Sequence, residues 1–272
     1  MKLTENASTA DNQQETKDDS NYYISGFCAG EMSCSIIKQT RPYGSGYSYS
    51  PDFTVTNSDI NLLRQINSVL ANGRGVISEV KGAYNLSFRG KKKVNSVLSF
   101  FSDYPILVGN LAKTRIFLLR KACFILSQKK RSTKRLYGEI YQVEQIRKRL
   151  KEIKETGNNV ITYRHQTNFY SRKVQGFFLS GVFDADGSIG LRKRNIYYQP
   201  FMAIAMKDKK IPMLFQRFFG FGSIYKRGKS RLYHFETGKR ENVLKAAETF
   251  LLKYPSRQSI KRYKLEKLYR IL

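Results

Sequence analysis

Phe178-Leu179-Ser180-Gly181-Val182-Phe183-Asp184-Ala185-Asp186-Gly187 decides the fold, because the same pattern occurs upstream as Tyr23-Ile24-Ser25-Gly26-Phe27-Cys28-Ala29-Gly30-Glu31. Each copy reads as a short apolar helix that ends in an acid. Glycine inside a helix costs roughly 1 kcal/mol relative to alanine, so Gly26 and Gly30, like Gly181 and Ala185, need a reason. Small residues four apart share one helix face, and such a face lets another backbone come close. Glu31 and Asp186 fall at helix C-termini, where the macrodipole disfavours negative charge and a bound cation would relieve it. Pairing the two helices would bring the two carboxylates together.

The chain of 272 residues carries 49 Lys+Arg against 21 Asp+Glu, a net charge of +28. That excess is far beyond what solubility needs and points to a polyanionic partner, although charge alone does not separate DNA from RNA. Residues 1–20 run against the trend, with Lys2 and Lys17 outnumbered by Glu5, Asp11, Glu15, Asp18 and Asp19. They are expected to be a disordered acidic tail; they lack the apolar core of a signal peptide and are too acidic for an organelle transit sequence. No apolar run approaches the roughly 20 residues that span a membrane, so no membrane partner is expected. Cys28, Cys34 and Cys123 have no paired spacing and read as reduced, buried small residues. His165 and His234 are isolated, with no third histidine to build a triad.

In the first half, residues 21–127, Cys34 and Ile36 alternate with Ser33 and Ser35 as a half-buried strand. Gln39 and Arg41 continue the outer set. After a turn-rich stretch from Pro42 to Ser50, Phe53 and Val55 point in while Thr54 and Thr56 point out. Asp59 is the expected N-cap of a helix carrying Ile60, Leu63, Ile66 and Leu70. Val76–Val80 and Tyr84–Phe88 form a hairpin around Lys81-Gly82, with Asn85, Ser87 and Arg89 facing outward. A helix over 94–102 then runs into Tyr104-Pro105, and the order is αββαββα.

Residues 111–126 are expected to pack as a helix on the first half. The connector, residues 128–174, contains the basic run Lys129–Arg135 and then Leu136, Ile140, Val143, Ile146, Leu150 and Ile153 at helical spacing, stopped by Gly157 and Asn158. It reads either as a solvated linker helix or as one that also touches phosphates. From residue 175 to 272 the pattern repeats. Ser188–Arg194 aligns with Ser33–Gln39 and puts Arg192 and Arg194 outward; Tyr225 and Arg227 lie on or beside the later hairpin, and Tyr254-Pro255 matches Tyr104-Pro105. Gly73-Arg74-Gly75 and Gly220-Phe221-Gly222 each precede a strand, so they read as turns and not as phosphate loops.

The stretch Leu179 to Gly187, LSGVFDADG, closely resembles the signature of the LAGLIDADG homing endonucleases, and ISGFCAGEM resembles it in a more divergent form. The resemblance implies the two-motif, monomeric type. Its fold is α+β, with two pseudo-symmetric αββαββα repeats forming a DNA-binding β-saddle and the motif helices at the central interface. It implies hydrolysis of double-stranded DNA at a long recognition site, leaving 3′ overhangs, with Mg2+ (or Mn2+) as cofactor. Carried over by position, Glu31 and Asp186 are the metal-binding carboxylates, assisted by the backbone carbonyls of Gly30 and Ala185. The family's basic residue near each scissile phosphate corresponds to Lys113 and Lys261, and its polar residue at the end of the second strand to Asn57, with Met206 in the other half. Combined with strand parity, the DNA-binding set is Gln39, Arg41, Thr54, Thr56, Arg89, Arg192, Arg194, Tyr225 and Arg227. Two departures stand out: Glu31 replaces the commoner aspartate, and Met32 replaces glycine. Met32 is expected to disturb the helix end or metal pocket and weaken cleavage in one half. Two other activities stay open, an RNA-binding maturase acting on intron RNA and a relative that nicks or only binds DNA. The lysine-rich composition and the resemblance to intron-encoded members are compatible with an organelle or microbial source.

Overall fold

The computed structural model describes residues 15–41, 46–128, 137–158, 160–163, 170–227 and 231–272. In chain order the elements are α1 (Lys17–Glu31), β1 (Met32–Thr40), β2 (Tyr47–Asn57), α2 (Ile60–Ala71), β3 (Val76–Val80), β4 (Ala83–Arg89), α3 (Lys91–Asp103), α4 (Asn110–Ser127), α5 (Tyr137–Thr156), α6 (Arg172–Asp186), β5 (Gly187–Arg194), β6 (Tyr197–Met206), α7 (Lys210–Phe219), β7 (Ser223–Lys226), β8 (Tyr233–Thr237), α8 (Arg240–Glu248), a π-helical turn Thr249–Lys253, and α9 (Ser259–Ile271). The αββαββα order therefore holds in both halves. Each half has a four-stranded antiparallel sheet, ordered β1-β2-β4-β3 in the first and β5-β6-β8-β7 in the second.

One face of each sheet is apolar and covered by helices. Phe53, Val55, Leu86 and Phe88 fill it in the first half, and Met202, Ile204 and Phe235 in the second. The alternate residues form the outer face, as strand periodicity requires. Pro51 and Pro200 sit inside β2 and β6, longer strands than the sequence predicted, at equivalent register positions. Proline is tolerated there because the third strand has already ended: β4 stops at Arg89 opposite Asp52, and β8 at Thr237 opposite Met202.

Two boundaries differ from the sequence reading. Residues 17–20, expected to be disordered, form the first turn of α1, held by a capping box between Thr16 and Asp19. Acids that read as tail charge act on the helix N-terminus instead, where the macrodipole favours them. The second repeat's helix starts at Arg172, inside the expected connector, behind Ser171, whose hydroxyl accepts from the Val174 N–H. Residues 1–14 of the expected tail, the basic run 129–135, His165 and Gly228-Lys229 at the hairpin tip lie outside the described residues.

The connector helix α5 buries Val143, Ile146, Leu150 and Ile153 and ends at Gly157, whose φ is +74°. It is fastened to the helix-covered side of the first sheet by Glu144, which accepts from the Tyr49 hydroxyl at 2.7 Å and pairs with Lys38 at 2.5 Å and Arg147 at 2.8 Å. Burial raises the Glu144 pKa, but the Lys38, Arg147 and Tyr49 donors outweigh it and hold the carboxyl at about 2.

The halves meet where α1 crosses α6. A Cβ on Gly26 would lie 1.9 Å from the Phe178 carbonyl oxygen, and one on Gly181 2.0 Å from that of Tyr23 and 2.6 Å from the Phe27 nitrogen. Backbone packs directly on backbone, which is why both helices accept the propensity cost of glycine. Gly181→Ala is expected to destabilise the protein by roughly 3 kcal/mol through forced separation of the helices. In the control Gly190→Ala, the new Cβ would be 3.6 Å from its nearest neighbour, Phe201, and thermal unfolding should leave it close to wild type.

Candidate active site

The same crossing gathers the two motif acids. An added Cβ on Gly30 would lie 2.5 Å from Ala185 Cβ and 2.7 Å from Asp186 Oδ2, so Asp186 reaches across to the residue preceding Glu31. Asn57, at the end of β2, donates to Glu31 Oε1 at 3.4 Å and accepts from the Asp59 N–H at 2.9 Å. Burial, then the Asp186 charge, raises the Glu31 carboxyl to about 7 against the pull of Asn57 and Lys261. Burial also raises Asp186, opposed by Lys261. Two neighbouring carboxylates of like charge, Glu31 half-buried and Asp186 open to solvent, sit at helix ends that already carry partial negative charge.

Cations answer that charge from both halves. The Lys261 ammonium donates to the carbonyl oxygens of Phe183, Asp184 and Ala185 at 2.8, 2.5 and 3.0 Å, capping the last turn of α6. Burial lowers its pKa, and Asp184, Asp186 and Glu31 counter that shift. The Ala185 carbonyl, expected to assist a metal, thus already accepts from Lys261. At the end of α1, Arg115 donates to the Met32 carbonyl at 3.2 Å and lines a cavity of ≈ 250 Å³ together with Gly30, Asp186, Lys207 and Asp208. Lys113, the sequence candidate, is half-buried with its ammonium 5.9 Å from the Tyr163 ring centroid. Arg115 was missed because the expected spacing from Tyr104-Pro105 pointed to the neighbouring lysine.

Asp184 is the further residue that composition could not separate from the two motif acids. It is fully buried and accepts from Tyr23 Oη at 2.5 Å, Ser256 Oγ at 2.5 Å, Arg257 N at 2.6 Å and Gln258 N at 3.0 Å. These bonds fix the segment leading into α9, and Gln258 caps α9 by accepting from Lys261 N. Asp184 therefore places Lys261. Two other carboxylates tie the halves together reciprocally. Asp59 caps α2 and accepts from Ser259 N at 2.9 Å, the first residue of α9; Asp208 accepts from Lys210 N and from Leu111 N at 3.0 Å near the start of α4. Burial raises the Asp59 pKa, but the Ser259, Leu62 and Asn61 donors hold it below the ordinary value.

Met32 needs no special backbone. Its φ and ψ, −73° and 144°, match the −77° and 155° of Gly187 at the equivalent position. In the second half a Cβ on Gly187 would strike the Phe183 ring at 2.3 Å; in the first half the residue in Phe183's place is Cys28, and Met32 is buried in the core. A small–large pair has exchanged places with a large–small pair. Met32→Gly is therefore expected to open a cavity and cost roughly 2 kcal/mol or more in chemical denaturation.

The expected DNA-contacting residues lie on or beside the outer sheet faces. Thr54 and Thr56 are on β2, Thr56 donating to Asn85 at 3.0 Å; Gln39 is exposed near the end of β1 with Arg41 just beyond it. Arg89 pairs with Asp52 at 3.6 Å. In the second half Arg192, Tyr225 and Arg227 converge on Glu236, while Arg194 is exposed. Asp52 and Glu236 were missed, because nothing in their local sequence distinguishes an acid that organises cations from one that faces water.

The donor set suits a hard divalent cation: oxygen ligands, excess negative charge, and space beside Asp186. Among the described residues no third His, Cys, Asp or Glu joins the pair in a metal-holding cluster, so further ligands would have to come from backbone, water or substrate. No helix among them is long and apolar enough to cross a membrane.

The sequence model of the LAGLIDADG endonuclease family matches residues 24–118 and 179–272. No curated protein matches significantly. Among solved structures, the LAGLIDADG homing endonuclease I-GzeII in complex with its DNA target is 19% identical, with a TM-score of 0.75 over 92% of this chain and 89% of that one. I-SmaMI bound to uncleaved DNA in the presence of calcium ions is 17% identical, TM-score 0.73, over 92% and 90%. The meganuclease I-CpaMI bound to uncleaved DNA is 18% identical, TM-score 0.73, over 92% and 91%.

The paired acids carry a stability signature. The folded chain holds the Glu31 proton more tightly than the ordinary value of 4.5, so metal-free stability should fall as pH rises from about 4.5 to about 7 and level off above it. The loss is roughly 3 kcal/mol. Glu31→Gln should remove it and raise the thermal midpoint of the metal-free protein at pH 8 but not at pH 4.

Proposed function

The chain belongs to the LAGLIDADG endonuclease family, and from that premise we propose that it cleaves double-stranded DNA at a long, specific site with Mg2+ or Mn2+, leaving 3′ overhangs. The observation that carries this reading is the juxtaposition of Glu31, half-buried, and Asp186, open to solvent, at a glycine-packed helix crossing flanked by two polar sheet faces. A net charge of +28 supplies the non-specific attraction to phosphates. Side chains on the outer faces would read base edges in the major groove.

Glu31 and Asp186 would hold the metal, with backbone oxygens of Gly30 and Ala185 as secondary donors. When bound, the ion supplies Lewis-acid polarisation of the scissile phosphates and acidifies an attacking water. Asn57 orients the Glu31 carboxylate. Lys261 offsets the negative end of α6 and stands ready for charge developing on a phosphate; Arg115 takes the corresponding role for α1, with Lys113 further back against Tyr163. Asp184 keeps Lys261 in place through the α9 cap. The acids bind and orient, the cations neutralise, and no protein nucleophile is required.

A second reading, binding of intron RNA, is favoured by one feature. Phe117, Phe124 and Tyr141 are exposed on α4 and α5, and Phe117 and Tyr141 line a groove with Lys121 and Arg149, the aromatic and basic mixture that unpaired bases stack on. Reduced RNA affinity in Phe124→Ala or Tyr141→Ala with unchanged duplex affinity would support it.

For the principal reading, the purified protein is incubated with duplex DNA spanning the uninterrupted host gene in magnesium and, separately, in calcium. Double-strand breaks are expected in magnesium alone. Glu31→Gln and Asp186→Asn should each abolish double-strand cutting, lowering it at least about 100-fold, while duplex affinity in gel shift stays within a few-fold of wild type. Full cutting by both variants would remove the metal assignment.

A further inference from the structure

The outer face of the second sheet holds an arrangement that the first lacks. Arg192 on β5 reaches across β6, laying its guanidinium 4.4 Å from the Phe201 ring centroid and placing Nη2 2.7 Å from Glu236 Oε1 on β8. The other carboxylate oxygen accepts from the Tyr225 hydroxyl and lies 4.0 Å from Arg227 Nη2. Tyr225 is itself stacked on His234, with ring centroids 5.3 Å apart and planes at 10°. Ala203, opposite Glu236 on β6, leaves room for the arginine to cross. The register places Ile37, Asp52, Ser78 and Ser87 of the first sheet where Arg192, Phe201, Tyr225 and Glu236 stand in the second.

We propose that Glu236 is a specificity-determining positioning residue, which with Phe201 and Tyr225 locks Arg192 into one rotamer as a reader of guanine in the half-site bound by the second sheet. This rests on the reading above of the chain as a sequence-specific DNA-binding enzyme. The physical case is pre-organisation. A free arginine on a strand has many rotamers, and fixing it on a base edge gives up that freedom at binding; here ring and carboxylate have already fixed it. With one edge held by Glu236, the remaining N–H groups of the planar fork can meet two acceptors side by side, which guanine O6 and N7 present in the major groove. Adenine and cytosine put an amino donor in that groove, where a cation-bearing fork finds repulsion. A carboxylate on a DNA-facing surface opposes phosphate binding, so its retention at the centre of that surface needs a gain elsewhere, and direction is what it contributes. Because the first sheet has no such set, the preference that depends on Glu236 should appear in one half-site only.

The test is selection of bound duplexes from a randomised library in calcium, followed by sequencing, for the full-length wild type, Arg192→Ala, Glu236→Gln and the double variant. Wild type should enrich guanine at one base pair of one half-site, and Arg192→Ala should lose that preference by roughly 5- to 100-fold. Glu236→Gln should weaken it at the same base pair alone while binding random duplex as tightly as wild type or more so, since a negative charge has gone. The double variant should match Arg192→Ala, as expected when one residue acts only through the other. Further loss in the double variant would make Glu236 a base reader in its own right and overturn the positioning role. An unchanged consensus in Arg192→Ala and Glu236→Gln would overturn the proposal while leaving the endonuclease reading intact; a wild type that enriches no sequence would overturn both.

Discussion

Backbone contact between two helices is the constraint from which the rest follows. Gly26 and Gly181 let α1 and α6 touch without side chains between them, so the carbonyl oxygens of Phe178 and Tyr23 occupy the space that Cβ atoms would take. Helices this close cannot slide past one another without clashing, and their C-termini therefore stay aligned. The acids at those ends are held beside each other at two negative helix termini, an arrangement of like charges that an electrostatically unassisted fold would avoid. Lys261 and Arg115 reach the helix ends from α9 and α4, and Asp59 and Asp208 connect each half to the helix start that carries the other half's cation. The crossing sets the geometry, and the reciprocal caps keep the cations in register with it.

The two halves are related but have diverged where packing allows. Cys28 with Met32 and Phe183 with Gly187 fill the same volume in opposite orders, so a departure from the motif is a repacking with no change of backbone. At the next position the divergence has a functional edge. Ala29 stands in the first half where Asp184 stands in the second, and only Asp184 organises a loop, accepting three hydrogen bonds from residues 256–258 and a fourth from Tyr23 on α1. The second half therefore holds its cation through a buried polar network and the first through a longer arginine. Buried networks of this kind tolerate loss of a partner poorly, because every remaining group is left desolvated.

Most of the architecture could be read from sequence because its periodicities are strong and occur twice. Alternation in Phe53–Val55, the Asp59 cap and the glycine stop at Gly157 all found their expected places, whereas in β5 only Ile189 is buried and Leu191, expected to face inward, is 39% exposed toward the strand's end. The start of α1 did not fall where expected, since Asp18 and Asp19 look the same whether they cap a helix or lengthen a tail. Among the residues proposed for the site, Glu31, Asp186, Asn57 and Lys261 come from the motif and the family resemblance, and the structure places them near one another. Arg115, Asp184's network and the Glu236 cluster were not legible in the sequence. They depend on which turn of α4 faces α1, on a loop brought in from Ser256, and on the order in which β5, β6 and β8 pair. Those are consequences of tertiary topology, and no local pattern records them.

The distribution of acids sharpens the picture of how a strongly basic chain acquires selectivity. With 49 basic residues, attraction to phosphate is abundant, and a further cation on the outer faces would add affinity for every sequence alike. Each sheet instead carries one carboxylate there: Asp52 among Ser35, Ser87 and Arg89, and Glu236 among Arg192, Tyr225 and Arg227. Each takes some charge from the surface and in return fixes where neighbouring donors point. Base edges differ in the direction of their donors and acceptors far more than in charge, so a face built to discriminate must give up some attraction to gain orientation. The acids of the outer faces thus sit where the protein's own cations must be held in place, and the metal role proposed for those at the helix crossing would follow the same rule.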